Sequence, residues 1–429
     1  MTASWTVSRR KALRGELRVP GDKSISHRAL MLSALADGET AVEGLSSSAD
    51  VASTKACLEA LGVGFRQDGA VLRVRGRGLG GLSAPTRELD AGNSGTTMRL
   101  MAGILAGHPF GATLTGDASL RRRPMKRVAE PLRAMGATVE LEGGERAPLT
   151  LRGGRLKGIG FDSPVASAQV KSAILLAGLH AEGTTSVREP ALSRDHTERM
   201  LAHFGVVVDR EGLRVSLRGG QRLKAHALEV PGDPSSAAFW AAAACLVPDS
   251  EVVVRGVCAN PTRIGFFEVL KRMGARLELV ASEIGPGGEP VADLYAGHSD
   301  LKAVETPAEG FPAFIDEVPL LCVVATQATG TTVIRGTAEL RHKESDRIET
   351  TLALLRAFGA SAGVEGDDII IPGGQRLQAG IADPKADHRI AMSGAVAALA
   401  ASGRCEVLDP GCADISYPGF FSQLDGLLT

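Results

Sequence analysis

The stretch Val19-Pro20-Gly21-Asp22-Lys23-Ser24 occurs again, with one change, as Val230-Pro231-Gly232-Asp233-Pro234-Ser235. The two copies lie about half of the 429-residue chain apart. A repeat with so long a period predicts two related halves rather than a stack of short units. We therefore predict two domains, one built from residues 1–20 with 233–429 and the other from residues 21–232.

A looser unit recurs within each half, and it consists of a polar loop, an apolar helix rich in small residues, a turn and an alternating strand. Its six copies begin near Pro20, Gly92, Ser163, Pro231, Pro312 and Asp387. The helical segments 29–36, 98–106, 172–181, 237–247, 320–326 and 390–401 are apolar on nearly every side, which is typical of buried helices. The segments 16–19, 72–75, 138–142 and 213–217 alternate apolar with polar residues, so one face of each sheet should meet solvent. The pattern predicts an α/β protein with its helices inside and its sheets outside.

The composition excludes several classes of function. Lys and Arg number 48 and Asp and Glu number 49, which leaves no net field to gather nucleic acid or an anionic membrane. No apolar run reaches the roughly 18–20 residues of a membrane span, and the start of the chain lacks the apolar region of a secretory signal. The six cysteines, at positions 57, 245, 258, 322, 405 and 412, show no metal-ligand spacing. We expect a cytoplasmic protein with buried free thiols.

Polar and cationic residues gather where the inner helices should begin. The first copy opens with Lys23, Ser24 and Arg28, the second with 92–96, the third with 167–171 and the sixth with 387–389. Helix N-termini present unpaired N–H groups and a positive dipole end, which attract phosphates and carboxylates. Cations concentrated at these points of a nearly neutral chain predict a small polyanionic ligand, with no metal and no cofactor.

Single motifs have plainer interpretations. The Gly-Asp-Lys-Ser stretch is not a nucleotide P-loop, because Leu17 and Asp22 stand where that motif requires glycine. The run 121–123, three arginines, is by itself typical of a solvated surface cluster. His388 and His196, taken alone, fit structural roles as well as catalytic ones.

Six segments taken together and in order resemble the 5-enolpyruvylshikimate-3-phosphate synthase family, and the similarity runs from about residue 20 to about residue 421. They are Pro20-Gly21-Asp22-Lys23-Ser24, Gly92-Asn93-Ser94-Gly95-Thr96, Arg123-Pro124-Met125, Ser167-Ala168-Gln169-Val170-Lys171-Ser172, Lys343-Glu344-Ser345-Asp346-Arg347 and Asp387-His388-Arg389-Ile390-Ala391-Met392. Residues 193–198 and 315–317 are closer to the second bacterial branch of that family. The resemblance implies a two-domain inside-out α/β barrel, the enolpyruvyl transferase fold, with six βαβαββ units, three per domain. It also implies an active site in the cleft between the domains.

The activity implied is transfer of the enolpyruvyl group of phosphoenolpyruvate to the 5-hydroxyl of shikimate 3-phosphate, by a cytoplasmic monomer. The resemblance assigns shikimate 3-phosphate to Lys23, Ser24, Arg28, Ser167, Ala168, Gln169, Arg194, Asp316 and Lys343. It assigns phosphoenolpyruvate to Lys23, Gly95, Arg123, Gln169, Arg347 and Arg389. Ala168 stands where many relatives have Ser and can offer only its backbone.

Catalysis falls to Asp316, Glu344, Lys23 and Lys343. Attack of an alcohol on an enol phosphate requires a base and an acid. We expect Asp316 to take the proton from the 5-hydroxyl, while Glu344 or Lys343 handles the proton at C3 of phosphoenolpyruvate. Two positions depart from the better-known branch, because Glu339 replaces an Asn and Ile415 replaces a Lys. Gly95 implies room for the inhibitor glyphosate.

Two other functions fit parts of the pattern. The sister transferase that acts on UDP-N-acetylglucosamine typically carries a cysteine in the loop that corresponds to 116–124, which has none here. It also typically has Lys-Asn where this chain has Lys23-Ser24. The second alternative is a non-catalytic repeat protein that binds a phosphorylated metabolite.

Overall fold

A computed structural model describes residues 4–7 and 12–428 of the chain. In this part of the chain the α-helices are α1 (Lys23–Leu35), α2 (Ala49–Ala60), α3 (Gly95–Ala106), α4 (Lys126–Met135), α5 (Ala168–Gly178), α6 (His196–His203), α7 (Pro234–Leu246), α8 (Gly265–Arg272), α9 (Val318–Gln327), α10 (Arg347–Ala357), α11 (His388–Ala400) and α12 (Phe420–Leu427).

The strands of the same residues are short, and most belong to four-stranded sheets. They are β1 (Ser4–Val7), β2 (Arg14–Arg18), β3 (Ala36–Asp37), β4 (Glu39–Glu43), β5 (Gly64–Asp68), β6 (Val71–Arg75), β7 (Leu89–Asp90), β8 (Gly111–Thr115), β9 (Thr138–Glu142), β10 (Arg146–Arg152), β11 (Gly160–Asp162), β12 (Thr184–Arg188), β13 (Val208–Glu211), β14 (Arg214–Arg218), β15 (Leu223–Lys224), β16 (Leu228–Glu229), β17 (Glu251–Cys258), β18 (Arg276–Ile284), β19 (Pro290–Gly297), β20 (Glu305–Thr306), β21 (Thr331–Ile334), β22 (Gly363–Glu365), β23 (Asp368–Pro372), β24 (Ile381–Ala382) and β25 (Cys405–Leu408).

The helices α1, α3, α5, α7, α9 and α11 are the predicted inner helices, and they are buried along nearly their whole length. Each begins two to six residues before the predicted apolar segment. In α1 and α11 the added residues include charged side chains, such as Lys23 and Arg389. The strands alternate as predicted. For example, buried and exposed residues alternate along β10 and β12. Helices inside and half-exposed sheets outside confirm the predicted fold class.

One topology recurs in five sheets. In the sheet β7-β8-β10-β9, the short strand β7 lies parallel to β8, and β10 is antiparallel to both of its neighbours. Along the chain this copy reads β7, α3, β8, α4, β9, β10, which is the implied βαβαββ unit. In the sixth copy β25 is followed by α12, and the antiparallel partner of β25 is β1 from the start of the chain.

The two copies of the repeated Val-Pro-Gly-Asp stretch mark two of the points where the chain passes from one compact unit to the other, and the chain passes again before and after residues 284–289. The first unit contains residues 4–7, 12–20, 231–283 and 290–428, and the second contains 21–230 and 284–289. The strand β2 precedes α1 but pairs with β17, whereas β16 precedes α7 but pairs with β4. Each unit therefore takes its first parallel strand from the segment that leads into the helix of the other unit.

The predicted chemistry of the cysteines is confirmed. All six cysteines are buried, and none of them forms a disulfide. Burial raises the pKa of Cys57, Cys322 and Cys412 to about 12, so these thiols stay protonated. Within residues 4–7 and 12–428, no helix combines the length and the apolar character that crossing a bilayer demands.

The close packing of α3 against α5 depends on Gly103. A Cβ atom at this position would overlap the backbone of Ala173. We expect Gly103→Ala to destabilise the protein by about 1–3 kcal/mol, because overpacking outweighs the better helix propensity of alanine. Thermal unfolding checks this. The matched control is Gly154→Ala, since Gly154 is exposed with no neighbouring atom within 4 Å of its added Cβ. An unchanged melting temperature for Gly103→Ala would contradict the packing argument.

Candidate active site

The second unit brings the first turns of α1, α3 and α5 together at one end. The guanidinium of Arg28 in α1 donates to Ser172 Oγ in α5 at 2.8 Å, and the Gln169 amide in α5 donates to Thr96 Oγ1 in α3 at 2.9 Å. Each helix is also capped at its start by a side-chain oxygen. Three helix N-termini of this unit therefore share one polar cluster.

Lys23 is the first residue of α1 and lies near the surface of this cluster. Its Nζ atom is 2.8 Å from Asp50 Oδ2, and its side chain is 17% exposed. Asp50 stands in the first turn of α2 and escaped the sequence analysis, since an acidic residue at a helix start has no special signature. The pair leaves an ammonium group oriented and still accessible to a ligand.

Arg28, one turn further into α1, is almost fully buried. It donates to the Ser24 carbonyl at 2.9 Å and to Thr197 Oγ1 at 2.7 Å. Burial lowers the pKa of Arg28 to about 10, so it remains charged at neutral pH. Arg194 donates to Ser24 Oγ at 3.2 Å. Three residues assigned to shikimate 3-phosphate therefore lie in contact.

The arginine run divides into two parts. Arg121 is exposed and 3.5 Å from Glu142, which is the solvated arrangement that the run alone suggested. Arg123 is instead 8% exposed and donates to Asn93 Oδ1 at 2.7 Å. Its Nη1 atom would lie 3.4 Å from a Cβ on Gly95, the first residue of α3. The last arginine of the run thus belongs to the cluster at the helix starts.

The start of α5 supplies the remaining candidates of this unit. Ser167 caps the helix by accepting a hydrogen bond from the Val170 N–H, and its own N–H donates to Glu189 Oε1 at 3.0 Å. Ala168 and Gln169 are the first two residues of the helix. The sequence analysis missed a buried network behind them, in which the Lys171 ammonium lies 2.8 Å from both Glu189 and Glu198. This network fixes the helix start from within.

The first unit holds a second cluster, around Asp316. This carboxylate lies in the short 3-10 helix Ile315–Glu317 that leads into α9. Its Oδ1 atom is 3.2 Å from Lys343 Nζ and 3.2 Å from Arg347 Nη1. Asp316 remains 17% exposed, so a carboxylate between two cations faces solvent at this point.

Arg347, the first residue of α10, is fully buried and organises this cluster. Besides Asp316 it pairs with Glu344 at 2.7 Å and with Asp387 at 3.0 Å. Burial alone would lower the pKa of Arg347, but Asp387, Glu344 and Asp316 raise it above its ordinary value. Burial likewise opposes ionisation of Asp387, yet Arg347 holds the pKa of Asp387 below its usual range. Arg347 and Asp387 therefore both stay ionised at neutral pH.

Arg389 is the second residue of α11 and is buried. Its Nη1 atom lies 3.2 Å from Glu317 Oε1, and its backbone N–H donates to the capping carboxylate of Asp387. In the first unit, the starts of α9, α10 and α11 are therefore linked through side chains.

The residues whose roles were open take distinct places. His196 is buried and its Nδ1 atom is 2.7 Å from Glu289 Oε1, a packing role inside the second unit. His388 is the buried first residue of α11. Glu339 and Ile415, the two departures from the family pattern, are half-buried in short 3-10 helices of the first unit.

Each unit thus presents cations and helix N-termini at one end, with carboxylates that keep the cations in place. Such a set binds phosphates and carboxylates through charge-assisted hydrogen bonds. Over the described residues, His, Cys, Asp and Glu side chains nowhere form a group of three that could hold a metal ion. The cations and carboxylates of the two clusters can transfer protons and stabilise charge.

Sequence comparison agrees with this chemistry. A model of the EPSP synthase (3-phosphoshikimate 1-carboxyvinyltransferase) family matches residues 7–424. The 3-phosphoshikimate 1-carboxyvinyltransferase of Gloeobacter violaceus is 53% identical over 427 residues, which cover 99% of each chain. The enzyme of the same name from Brevibacillus brevis is 51% identical over 97% of this chain and 98% of its own.

Solved structures give the same result. EPSP synthase from Acinetobacter baumannii superposes with a TM-score of 0.88 and 42% identity, over 99% of this chain and 98% of that one. The enolpyruvyl transferase NikO from Streptomyces tendae has a TM-score of 0.78 at 20% identity, over 98% of this chain and 96% of that one, and shows the shared fold alone. With its matched motifs, full-length relatives and paired ionic clusters, the chain belongs to the EPSP synthase (3-phosphoshikimate 1-carboxyvinyltransferase) family.

Proposed function

We propose that the chain transfers the enolpyruvyl group of phosphoenolpyruvate to the 5-hydroxyl of shikimate 3-phosphate and releases phosphate. The observation that carries the proposal is the contact of Asp316 with both Lys343 and Arg347. It sets a carboxylate base among cations suited to anionic substrates, in a chain whose family performs this reaction. A phosphate-release assay with both substrates tests the proposal, and release that does not depend on shikimate 3-phosphate would refute it.

In this proposal, residues from both clusters bind the substrates. The residues that we assign to shikimate 3-phosphate are Lys23, Ser24, Arg28, Ser167, Ala168, Gln169, Arg194, Asp316 and Lys343. The residues that we assign to phosphoenolpyruvate are Lys23, Gly95, Arg123, Gln169, Arg347 and Arg389. The helix starts of the second unit support this assignment, since their N–H groups and cations favour phosphate.

The reaction proceeds by addition and elimination. The 5-hydroxyl oxygen bonds to C2 of phosphoenolpyruvate while its proton passes to Asp316 and C3 gains a proton. Phosphate then leaves C2, and C3 loses a proton to form the enolpyruvyl product. Glu344 or Lys343 handles the proton at C3, since both flank the Asp316 and Arg347 contacts.

Stabilisation of charge falls to arginines. Arg123, Arg347 and Arg389 hold the carboxylate and the phosphate of phosphoenolpyruvate, and their guanidinium groups are already oriented by Asn93, Asp316 and Glu317. Donors that are fixed before the reaction need little reorganisation when charge develops on the leaving phosphate. Ile415 offers no cation here, which leaves this task to the three arginines.

We further infer a monomer that works in the cytoplasm. The six buried cysteines outside any disulfide support the second part of this inference, because thiols persist in a reducing compartment. Light scattering after size-exclusion chromatography tests the first part.

Replacing Asp316 with Asn should reduce turnover by at least about 100-fold, because the amide cannot accept the hydroxyl proton. Binding of shikimate 3-phosphate should persist, and titration calorimetry measures it. Asp368→Asn is the matched control, since Asp368 also pairs with an arginine, at 2.7 Å from Arg335, in the first unit. Near-normal turnover of Asp316→Asn would remove Asp316 from the mechanism.

Replacing Lys23 with Ala should weaken both substrates, because one ammonium serves both. Loss of a charged hydrogen bond of about 1.5–3 kcal/mol corresponds to about a 10- to 150-fold rise in each dissociation constant. Lys55→Ala is the control, because the contacts of Lys55 with Glu59 and with the Phe65 ring lie outside the cluster at the helix starts. If calorimetry finds either substrate bound as tightly as before, Lys23 does not bridge the two.

Replacing Gly95 with Ala should raise the inhibition constant of glyphosate far more than the KM for phosphoenolpyruvate. The added methyl group takes up room beside Arg123, and crowding of about 1–3 kcal/mol gives about a 5- to 150-fold loss of affinity. Steady-state inhibition kinetics measure both constants. Equal changes in the two constants would contradict a steric cause.

A further inference from the structure

Arg99 stands one helical turn after Gly95 on α3, so the two residues share a face of the helix. Its half-buried side chain folds back over the helix start. A Cβ on Gly95 would lie 2.8 Å from Arg99 Nη1, closer than its 3.4 Å from Arg123 Nη1. The space that glycine leaves open at position 95 is therefore bounded first by the Arg99 guanidinium.

That guanidinium joins two further parts of the cluster. Its Nη1 atom donates to Gln169 Oε1 at 2.6 Å, and its Nη2 atom donates to the Pro124 carbonyl at 3.1 Å. Pro124 directly follows Arg123. One side chain thus connects α3 to the first turn of α5 and to the segment that carries Arg123.

Arg99 also determines which way the Gln169 amide points. A guanidinium has only donors, so it must face the amide oxygen and not the nitrogen. The Gln169 nitrogen then donates to Thr96 Oγ1 at 2.9 Å. Without Arg99, the amide would be free to rotate and to present the wrong atom to a ligand.

We propose that Arg99 is a positioning residue of the phosphoenolpyruvate site, which holds Gln169 and Arg123 in place, and that a side chain at position 95 acts on this site by displacing the Arg99 guanidinium that lies over it. This inference rests on the proposed function, which assigns both Gln169 and Arg123 to phosphoenolpyruvate. It differs from a purely direct effect, in which an alanine methyl group would touch only the substrate.

A double-mutant cycle separates the two accounts. The variants are Gly95→Ala, Arg99→Ala and the two changes combined, and the measurement is the KM for phosphoenolpyruvate at saturating shikimate 3-phosphate. Arg99→Ala alone should raise this KM about tenfold, in line with the loss of charged hydrogen bonds, while kcat falls less than about threefold. Gly95→Ala alone should raise this KM more than about threefold, although less than it raises the inhibition constant of glyphosate. In the Arg99→Ala background, Gly95→Ala should add less than about twofold, since its first steric neighbour is gone.

Additive effects would overturn the proposal, because they would show that the methyl group acts without Arg99. Arg133→Ala is the matched control, since Arg133 in the same unit also donates to a backbone carbonyl, that of Val139 at 2.6 Å, but lies outside the cluster. It should leave the KM unchanged, and an equal rise there would make the effect of Arg99 a general loss of structure.

A crystal structure of Gly95→Ala supplies a readout that needs no activity. We expect the Arg99 guanidinium to be displaced and its hydrogen bond to Gln169 to be broken, whereas an unmoved Arg99 would refute the inference. If the wild-type chain released no phosphate from the two substrates, the proposed function would fail. The crystal structure of Gly95→Ala would still show whether Arg99 moves, so failure of the proposed function and failure of the inference about Arg99 can be distinguished.

Discussion

On an α-helix that is buried on every side, a polar side chain must either lie near a helix end or find a buried partner, as Arg28 does, and this constraint shapes both units of the molecule. The sheets cover the flanks of the inner helices, and their buried faces must be apolar to match. The first turns remain open to polar residues, and their N–H groups need acceptors. Caps such as Asp22 and Asp387 meet part of that need. The unmet part, with its positive dipole end, is where an anion is stabilised.

The same constraint explains why much of the fold and of the candidate site could be predicted from the sequence. The starts of the helices at Lys23 and Gly95 could be predicted, because the sequence changes there from polar to apolar residues. The side chains that contact these helix starts could not be predicted. Asp50 contacts Lys23, and Gln169 contacts Arg99, from other helices, and no local sequence pattern encodes such a contact. The arginine run shows the limit most clearly, because only the direction of each side chain distinguishes Arg123 from Arg121.

Strand pairing was also beyond the sequence pattern. The segments 14–18 and 228–229 both lead into an inner helix, and each could have paired beside that helix's own following strand. The chain instead exchanges them, so that β2 lies beside β17 and β16 beside β4. Both arrangements bury the same apolar residues on the same faces, so alternation alone cannot choose between them. As a result, each of these two strand pairs, β2 with β17 and β4 with β16, joins segments that lie far apart in the sequence.

In the ionic cluster around Arg347, some carboxylates serve the structure, and others remain accessible to a ligand. A buried guanidinium is tolerable only if anions surround it, and Asp316, Glu344 and Asp387 provide them. Asp387 is fully buried and also caps α11, so its oxygens are committed to the protein. Asp316 reaches Arg347 and Lys343 through a single oxygen and keeps partial exposure. Asp316 and Glu344, at 17% and 19% exposed, are therefore the two carboxylates of the cluster that a substrate could reach.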